Sequence, residues 1–350
     1  MEFYKGKTVL VTGAAGTVGH ELARQLVGME LADLRLMDNN ETELFFLSEE
    51  FRGRANCFLG DVRDLSKLTK LCSGVDVVLH AAAFKHVILC EYNPFDAVQT
   101  NILGVENVIK AATANDVGHV IFTSSDKAVN PTNVMGTSKL MGERLISAAN
   151  TVQMKNKTVF SSTRFGNVIG SRGSVVPIFM RQIKAGDAIT LTDARMTRFI
   201  MTIAEAARLV LASAPRSRGG EVFVTKMPVV TIKDLAVAMI EELAPHYGYA
   251  PAEIKVNVIG AKPGEKLYEE LMSEEEVSRS LELSEMFVVV PAFKSLYSSI
   301  DYSYADLVTD KVTKSYISAT EEKMDVAAIR AYLREHRVLE SVDESLAGRS

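Results

Sequence analysis

Short apolar runs alternate with longer helical patterns over the first half of the chain. The runs are rich in β-branched residues, and the segments between them carry apolar residues at helical spacing, as in HELARQLV. Strands that alternate with helices predict parallel βαβ units, and continuous apolar runs suit a sheet covered on both faces. The predicted strands lie in KTVLV, LRLMD, CFLGD, VDVVLHA, HVIFTS and TVFSSTRF. The pattern therefore predicts an α/β protein with a doubly wound parallel sheet.

The pattern changes after Gly166. Gly and Pro become more frequent, and short strands such as EVFVT and EIKVNVI mix with helical segments such as TIKDLAVAMIEEL. We expect residues 1–165 to form the main domain, with 200–222 returning to it. Residues 166–199 and 223–300 should form a smaller α/β cap that binds the substrate. Residues 301–350 form a C-terminal extension with one amphipathic helix candidate, DVAAIRAYLREH, and no assigned role.

Composition excludes several classes of protein. The chain has 350 residues, of which 47% are hydrophobic, and this is enough for one large or two smaller cores. Its 39 basic and 44 acidic residues give a net charge of -5, which offers no overall attraction for nucleic acid. Three cysteines without metal-ligand spacing argue against a disulfide framework or a zinc site and favour a reducing cytoplasm. No stretch approaches the roughly 18 to 20 apolar residues of a bilayer span, so we expect no membrane attachment.

The first predicted strand runs directly into a glycine-rich turn and then a helix. Gly13 permits backbone angles that a side chain disfavours, Gly16 lets the main chain approach a pyrophosphate, and Gly19 permits close packing of helix on strand. The anion would bind the N–H groups at the start of the helix. The predicted binding residues of the turn are Gly13, Ala15, Gly16, Thr17, Val18 and Gly19. This arrangement predicts the dinucleotide site of a Rossmann-like domain.

Acidic residues after the next two strands refine that prediction. Asp38, with Asn39 beside it, stands about twenty residues past the glycines, where a carboxylate accepts hydrogen bonds from the adenosine 2'- and 3'-hydroxyls. The segment DNNETE holds no cation for a 2'-phosphate, so NAD is favoured over NADP. Asp61 and Val62 are placed to meet the adenine, although Asp61 is equally suited to cap the helix DLSKLTKL.

Ligands of open parallel sheets bind outside the carboxyl ends of the strands. The small side chains of Ala81, Ala82 and Ala83 would let the nicotinamide half of the cofactor lie against the backbone. The fifth strand ends in TSSDK, which would face the reacting carbon. Asn101 either bridges a loop carbonyl and an active-site water or caps the helix LGVENVIKAA.

Several motifs together resemble one known family. They are TGAAGTVG, HAAAFKHV, TNILGVENV, SSDKAVNPTNVMGTSK, FGNVIGSRGSVVPIF, MTRFIMTIAEA and KPGEKLYEEL, and they extend to about Leu271. The chain resembles the extended short-chain dehydrogenases/reductases and, more narrowly, the CapD-like nucleotide-sugar 4,6-dehydratases that act on UDP-N-acetylglucosamine. The resemblance implies a lyase with tightly bound NAD and a nucleotide-sugar substrate.

The resemblance also implies an internal redox cycle. Hydride leaves C4 of the sugar for NAD, the ketone acidifies the C5 proton, water leaves from C6, and hydride returns to C6. Elimination needs an acid at the departing hydroxyl and a base at C5. We assign Asp126 as the C6 acid and Lys127 as the C5 base.

One position departs from the wider superfamily. Met135 stands four residues before Lys139, where a Tyr is expected, and a thioether cannot usefully accept the C4 hydroxyl proton. The departure fits a degenerate binding relative or a dehydratase branch with methionine at this position. We favour the second reading because Asp126, Lys127 and Lys139 are all present. Lys139 should hydrogen-bond the nicotinamide ribose, and either Ser125 or Lys127 should take the C4 hydroxyl proton.

The remaining candidates are sugar- and phosphate-binding residues. They are Lys85, His86, Asn167, Arg172, Ser174, Val175, Arg198 and Glu265. Arginine offers paired donors to phosphate, and Arg198 is favoured over Arg195 because MTRFIMT matches the family motif more closely. Relatives of this kind pair helices equivalent to 95–114 and 134–149, so we expect a homodimer or a multiple of it. The alternative is a monomer that buries those faces internally.

Rival functions remain open. A nucleotide-sugar 4-epimerase needs neither a C5 base nor a C6 acid, so the Asp126–Lys127 pair disfavours it. A non-catalytic NAD-binding scaffold is suggested only by Met135. Residue identities do not distinguish UDP- from GDP-N-acetylglucosamine, or the C5 configuration of the product.

Overall fold

The computed structural model describes residues 2–152, 157–171, 173–260, 265–297 and 300–347. Its strands are β1 Thr8–Thr12, β2 Asp33–Asp38, β3 Asn56–Leu59, β4 Val77–His80, β5 His119–Ser125, β6 Val159–Phe165, β7 Asn167–Val168, β8 Ile189–Leu191, β9 Thr197–Met201, β10 Val222–Thr225, β11 Val229–Thr231, β12 Val256–Val258, β13 Glu270–Met272, β14 Ser280–Leu283, β15 Met286–Val289, β16 Leu307–Thr309 and β17 Tyr316–Ile317.

The helices connect these strands. They are α1 Thr17–Val27, α2 Glu41–Glu50, α3 Leu65–Leu71, α4 Val87–Tyr92, α5 Pro94–Val98, α6 Gly104–Ala114, α7 Val134–Val152, α8 Val175–Lys184, α9 Ile203–Arg216, α10 Ile232–Leu243, α11 Glu274–Val277, α12 Val326–Glu335 and α13 Val338–Ala347. A π-helical segment, Gln99–Leu103, joins α5 to α6, and a single 3-10 turn, Asp126–Ala128, follows β5. Among the described residues, no helix is long and apolar enough to cross a membrane.

The chain folds as two compact units. Unit 1 comprises Met1–Phe165, Ala207–Lys226 and Leu271–Ser315, and unit 2 comprises Gly166–Ala206, Met227–Glu270 and Tyr316–Ser350. Each unit has its own hydrophobic core. The division of the chain near Phe165 agrees with the change in sequence pattern at Gly166.

A ten-stranded sheet organises unit 1, in the order β16-β14-β15-β10-β6-β5-β4-β1-β2-β3. The strands from β10 to β3 are parallel, and the direction of winding reverses between β1 and β4. The strands β15, β14 and β16 continue the sheet in antiparallel pairing. The predicted α/β class and doubly wound parallel sheet are confirmed, and every strand predicted before Gly166 is present.

The domain boundaries differ from the prediction. Residues 223–226 and 271–300 were assigned to the cap, yet they belong to unit 1. Strand pairing explains the difference. β10 is hydrogen-bonded to β6, and the strands β15 and β14 then extend the sheet beyond β10. Residues 200–206 belong to unit 2 rather than to the main domain. The extension 301–350 is divided between the units, with β16 in the large sheet and α12 and α13 in unit 2.

The described part of unit 2 contains two small sheets and four packed helices. Its sheets have the orders β11-β9-β7 and β12-β8. Buried side chains from α8, α10 and α12, including Phe179, Met239 and Leu333, form its core. The helix predicted in TIKDLAVAMIEEL is α10, whose N-terminal Thr231 accepts a hydrogen bond from the N–H of Asp234 at 3.0 Å.

Candidate active site

The glycine turn after β1 has the close approaches that the sequence predicts. Gly13 has φ +70°, and a Cβ at this position would lie 2.6 Å from the backbone of Ala82. A Cβ on Gly19 would lie 2.0 Å from the carbonyl oxygen of Gly13. Gly16 is the N-cap of α1 and has no side chain, so the N–H groups of the first helical turn receive no side-chain cap. The turn fits the pyrophosphate of a dinucleotide.

Asp38 supports the turn from the end of β2. Its Oδ2 accepts a hydrogen bond from the N–H of Ala15 at 2.9 Å, and its Oδ1 accepts one from Asn40 at 2.9 Å. A carboxylate offers about four acceptor positions, so these bonds leave capacity for ribose hydroxyls. The fit to NAD is therefore retained, with Asp38 also holding the turn in place.

Asp61 is a turn residue rather than the helix cap. Its carboxylate accepts hydrogen bonds from Arg63 and, at 3.1 Å, from Asn39. The hydrogen bond with Arg63 lowers the pKa of Asp61 to about 2. The cap of α3 is Asp64, which accepts the N–H of Lys67 at 2.9 Å, so the capping alternative for Asp61 is wrong.

Asn101 is completely buried in the π-helical segment and does not cap a helix. Its side chain accepts the N–H of Phe84 at 2.8 Å and donates to the carbonyl of Phe84 at 3.0 Å. It also donates to Ser138 Oγ at 2.9 Å, and Ser138 in turn donates to the carbonyl of Met135 at 2.7 Å. Asn101 thus ties the loop after β4 to α7. Lys85 and His86 lie further along that loop and are exposed.

Ser125, Asp126 and Lys127 form a hydrogen-bonded group at the carboxyl end of β5. Lys127 Nζ lies 3.1 Å from Asp126 Oδ1 and 3.0 Å from Oδ2. Ser125 Oγ donates to Asp126 Oδ1 at 2.5 Å and accepts the N–H of Lys127 at 3.2 Å. The Asp126 side chain is 2% exposed, whereas that of Lys127 is 33% exposed. The predicted acid and base are therefore in direct contact.

Helix α7 carries Met135 and Lys139 one turn apart. Lys139 Nζ donates to the carbonyl of Thr123 at 2.9 Å and lies 4.7 Å from the ring centroid of Phe122. Burial lowers the pKa of Lys139 to about 8, while the negative charge of Glu143 opposes that change. Met135 is buried beside Cys90 and Ala97.

Two of the unit 2 candidates, Asn167 and Arg198, contact Glu269, a carboxylate that was not predicted from the sequence. Glu269 accepts a hydrogen bond from Asn167 at 2.6 Å, and its Oε1 lies 3.3 Å from Arg198 Nε. Arg198 also lies 3.8 Å from Glu265, so two acids already neutralise this arginine. Ser174 is the N-cap of α8 and Val175 its first residue. Arg172 lies outside the described residues, and the substrate roles of this group stay predictions.

A buried ionic cluster in unit 1 was not predicted from the sequence. Arg164 donates to Glu143 at 2.6 and 3.0 Å, to Glu276 at 2.9 and 3.0 Å, and to the carbonyl of Leu271 at 2.9 Å. The only indication of this cluster in the sequence was the single arginine within the predicted strand TVFSSTRF. Glu91 was likewise missed, and it accepts the N–H of Val134 at the start of α7 at 2.6 Å.

The fold and the glycine turn define a Rossmann-type α/β protein with a turn of dinucleotide-binding form. A family model described as polysaccharide biosynthesis protein matches residues 9–291, and the chain belongs to that family. The family predicted from the sequence motifs is confirmed.

Several curated relatives are similar to most of this chain. A Methanocaldococcus jannaschii protein described as an uncharacterized membrane protein is 53% identical over 290 residues, 83% of this chain and 87% of that protein. The UDP-N-acetylglucosamine 4,6-dehydratase (inverting) of Campylobacter jejuni is 38% identical over 86% of this chain and 87% of its own length. A UDP-glucose 4-epimerase of Rickettsia bellii is 39% identical over 80% and 82%.

A longer relative and two solved structures are also similar to this chain. The capsular polysaccharide biosynthesis protein CapD of Staphylococcus aureus is 41% identical over 77% of this chain, which spans only 46% of CapD. The X-ray structure of Pen from Bacillus thuringiensis has a TM-score of 0.87 and 40% identity, and covers 96% of this chain and 99% of Pen. A dTDP-glucose 4,6-dehydratase from Streptomyces venezuelae, solved with NAD, has a TM-score of 0.64 at 21% identity and shares the fold, over 74% of this chain and 86% of that one.

Proposed function

We propose that this protein is an NAD-dependent UDP-N-acetylglucosamine 4,6-dehydratase whose product is a UDP-4-keto-6-deoxy-N-acetylhexosamine. Bound NAD would supply the acceptor for the C4 hydride and return that hydride to C6. The turn at Gly13, Gly16 and Gly19 would hold the pyrophosphate, with Asp38 at the adenosine ribose and Lys139 at the nicotinamide ribose. The sugar and diphosphate would be held by the substrate-binding residues predicted from the sequence.

The Asp126–Lys127 pair is the observation that carries this proposal. Sequence identity does not separate the two reactions, since the dehydratase relative is 38% and the epimerase relative 39% identical to this chain. An epimerase oxidises and reduces C4 alone, whereas a dehydratase also removes a C5 proton and protonates a leaving hydroxyl. An ammonium and a carboxylate in contact at the end of β5 match those two additional proton transfers.

Three parallel incubations in deuterated water, read by NMR, test the proposal. The purified protein is mixed separately with UDP-N-acetylglucosamine, GDP-N-acetylglucosamine and UDP-glucose. We expect a 4-keto-6-deoxy sugar with deuterium at C5 from the first substrate, and no product from a Lys127→Gln variant. A product epimeric at C4 and without C5 deuterium would instead establish the epimerase.

We also propose a homodimer formed through the helices that follow β4. Exposed apolar side chains cover this surface, with Tyr92 80% and Phe95 81% exposed. Ile88 and Leu89 on α4 extend the exposed surface beyond the helices predicted from the sequence. Large exposed apolar patches are typical of protein interfaces. Light scattering should give a dimer mass for the wild type and a monomer mass for Tyr92→Asp with Phe95→Asp, and a monomeric wild type would refute the proposal.

A further inference from the structure

The C-terminal extension carries two helices that the proposed function does not use. The family model ends at residue 291, and α12 and α13 follow it in the chain. Both helices belong to unit 2 and contribute buried side chains to its core, including Ile329 on α12 and Val342 on α13. The extension is therefore part of the unit that contains the predicted substrate-binding residues Asn167 and Ser174.

The two helices pack on different neighbours within unit 2. Helix α12 packs on α10, where Arg334 donates to Glu242 at 2.7 and 2.8 Å. The chain then turns at Arg337, whose φ of +50° is in the left-handed region that residues with a side chain rarely adopt. After this turn α13 packs on α8, and Asp343 lies 3.5 Å from Lys184. The turn thus brings α13 to the helix that begins at the predicted substrate-binding loop.

Two side chains of α13 lie against the loop that leads from β7 into α8. Val338 and Val342 are one helical turn apart, and they are 4% and 1% exposed. A Cβ built on Gly170 would lie 3.1 Å from Val342 Cγ2 and 3.6 Å from Val338 Cγ1. Gly170 also has φ +76°, a conformation that glycine adopts without steric cost. The backbone of the loop and α13 are therefore closely packed at Gly170.

Backbone hydrogen bonds hold the two ends of this loop. The N–H of Ile169 donates to the carbonyl of Met201 at 2.8 Å, and the N–H of Ser174 donates to the carbonyl of Ser171 at 3.0 Å. Between these bonds, the packing of Gly170 against α13 covers the chain. Loops with few buried apolar contacts are the mobile parts of a protein. Helix α13 thus supplies packing that restricts the path of the chain from β7 to α8.

We propose that α13 positions the loop between Asn167 and Ser174 and thereby raises the affinity of the protein for its nucleotide sugar. Val338 and Val342 are positioning residues, because they act through Gly170 rather than on the ligand. A loop that is already held in one conformation loses less entropy when the ligand binds. This inference rests on the proposed function, which assigns Asn167 and Ser174 to the substrate.

The effect should be confined to the nucleotide sugar. The glycine turn and Asp38, proposed for NAD, belong to unit 1, whereas α13 and the loop belong to unit 2. Changes on α13 should therefore leave the affinity for NAD unaltered. The proton transfers are assigned to Asp126 and Lys127 in unit 1, so kcat should change by less than about twofold.

Val342→Ala and Gly170→Ala test the contact from its two sides. Val342→Ala removes methyl groups next to Gly170 and should weaken UDP-N-acetylglucosamine binding by about 3- to 10-fold, the usual cost of ordering a few mobile groups. Gly170→Ala places a methyl group against Val342 Cγ2 at an unfavourable φ and should weaken binding at least as much. In the double variant the smaller side chain at position 342 leaves room for the new methyl group, so the two effects should be less than multiplicative. Calorimetry in the presence of NAD measures these affinities.

Ile329→Val is the matched control. Ile329 is buried in the same core, but it lies on α12, which packs on α10. Loss of one methyl group should lower the free energy of unfolding and leave the affinity for the nucleotide sugar unchanged. Urea denaturation checks that every variant is folded. If Ile329→Val weakened binding as much as Val342→Ala, the cause would be a general loosening of the core, and α13 would have no positioning role.

The outcomes distinguish this inference from the proposed function. A wild type that forms the 4-keto product while Val342→Ala binds UDP-N-acetylglucosamine normally overturns the inference alone. Fully multiplicative effects of Val342→Ala and Gly170→Ala, or an equal loss of NAD affinity, also overturn it. A wild type that acts on GDP-N-acetylglucosamine or UDP-glucose instead corrects the proposed substrate, and the same affinities are then measured with that compound. A wild type that binds none of the three nucleotide sugars overturns both.

Discussion

Unit 1 holds two ionic clusters on neighbouring strands that differ in their access to solvent. The open cluster, Ser125, Asp126 and Lys127, follows β5, and its lysine is 33% exposed. The closed cluster, Glu143, Arg164 and Glu276, is centred on β6, and its arginine is 1% exposed. Both pair cations with carboxylates, and β5 and β6 are adjacent in the sheet. Position at a strand end, rather than the type of ion pair, therefore distinguishes the cluster proposed for proton transfer from the cluster that is buried within the fold.

The two clusters also differ in how completely each charge is satisfied. Arg164 has five donor N–H groups, and its bonds to two carboxylates and one carbonyl engage all of its nitrogens. Such a group exchanges no protons with a ligand. Lys127 has three donor hydrogens and a partly exposed ammonium, so its bonds can be rearranged when a substrate arrives.

The largest expected effect comes from the open cluster. Lys127→Ala should lower kcat by about 10³-fold, because a base at C5 contributes typically 10² to 10⁴ to a proton abstraction. Deuterium incorporation at C5 should fall in parallel, while the urea midpoint of unfolding should barely change. Both quantities are measured on the same preparation by NMR and by denaturation.

Lys110→Ala is the matched control for that variant. Lys110 pairs with Glu106 at 2.7 Å on α6, and both side chains are about half exposed. Its removal should alter neither kcat nor C5 exchange. Equal activity in Lys127→Ala and Lys110→Ala would show that the open cluster is not the chemical centre.

The next effect concerns the stability of the closed cluster. Glu276→Gln should lower the free energy of unfolding by about 3 kcal/mol, because it leaves the buried charge of Arg164 with one carboxylate partner. Glu106→Gln, which breaks an exposed pair, should cost less than about 0.5 kcal/mol. Urea denaturation of both variants near neutral pH provides the measurement, and equal costs would refute the distinction between open and closed clusters.

Acid should weaken the closed cluster in the same way. Burial opposes ionisation of Glu276, but the charge and hydrogen bonds of Arg164 prevail and lower the pKa of Glu276 to about 2 from an ordinary 4.5. Its stabilising contribution is therefore complete above pH 4.5 and is lost as the pH falls towards 2. In Glu276→Gln this part of the acid dependence should disappear.

Glu221 is another buried carboxylate of unit 1, but its hydrogen-bond partners are backbone N–H groups rather than an arginine side chain. It accepts the backbone N–H groups of Arg218 and, at 2.6 Å, Gly219. Burial raises the pKa of Glu221 to about 7 from 4.5, so the folded protein holds this proton more tightly than the unfolded chain. Stability should be greatest below pH 4.5 and should fall by about 2 to 3 kcal/mol as the pH rises through 7. Glu221→Gln should flatten this slope in urea unfolding between pH 5 and pH 8, whereas an unchanged slope would assign it to other groups.

The open cluster could be predicted from sequence because its members are contiguous. Ser125, Asp126 and Lys127 follow a β-branched run, and a parallel sheet directs all such strand ends to one edge. The glycine turn was predictable for the same reason, since the conformation of Gly13 and the packing of Gly19 are local properties of strand, turn and helix. The buried face of Asp126 was not predictable, because it depends on which way a single 3-10 turn directs the side chain.

The closed cluster could not be predicted, because its members are far apart in sequence. Glu143 and Glu276 meet only after β6, α7 and α11 have packed around Arg164. The antiparallel strands β14 and β15 were placed in the cap for the same reason, since the choice of sheet depends on the long-range pairing of β15 with β10.

Glu143 connects the closed cluster to the proposed cofactor site and should have a smaller effect. It lies one helical turn after Lys139, and Arg164 holds its carboxylate. Burial lowers the pKa of Lys139 to about 8, and the charges of Glu143 and Cys90 act in the opposite direction. Removal of the carboxylate charge in Glu143→Gln should therefore lower that pKa further.

The measurement is the affinity for NAD as a function of pH. If Lys139 binds the nicotinamide ribose as an ammonium, wild-type affinity should decrease as the pH rises through about 8. In Glu143→Gln the decrease should begin at a lower pH, and in Lys139→Met the dependence should vanish. Glu106→Gln serves as the control. If the affinity for NAD decreased at the same pH in Glu143→Gln as in the wild type, the closed cluster would not influence the charge of Lys139.

Met135 should have the smallest effect of all, although it occupies the position of an expected tyrosine. It is buried against Cys90 and Ala97, with Val87 and Val134 beside them, so the thioether fills space. Met135→Leu conserves volume and should cost less than about 1.5 kcal/mol of stability and change kcat by less than about threefold. Met135→Tyr should be more harmful. The larger ring should overfill this pocket and lower the free energy of unfolding by about 1 to 3 kcal/mol, and its hydroxyl needs a hydrogen-bond partner. If Met135→Leu instead abolished turnover at unchanged stability, the sulfur itself would be part of the chemistry, and the reaction would not depend on the open cluster alone.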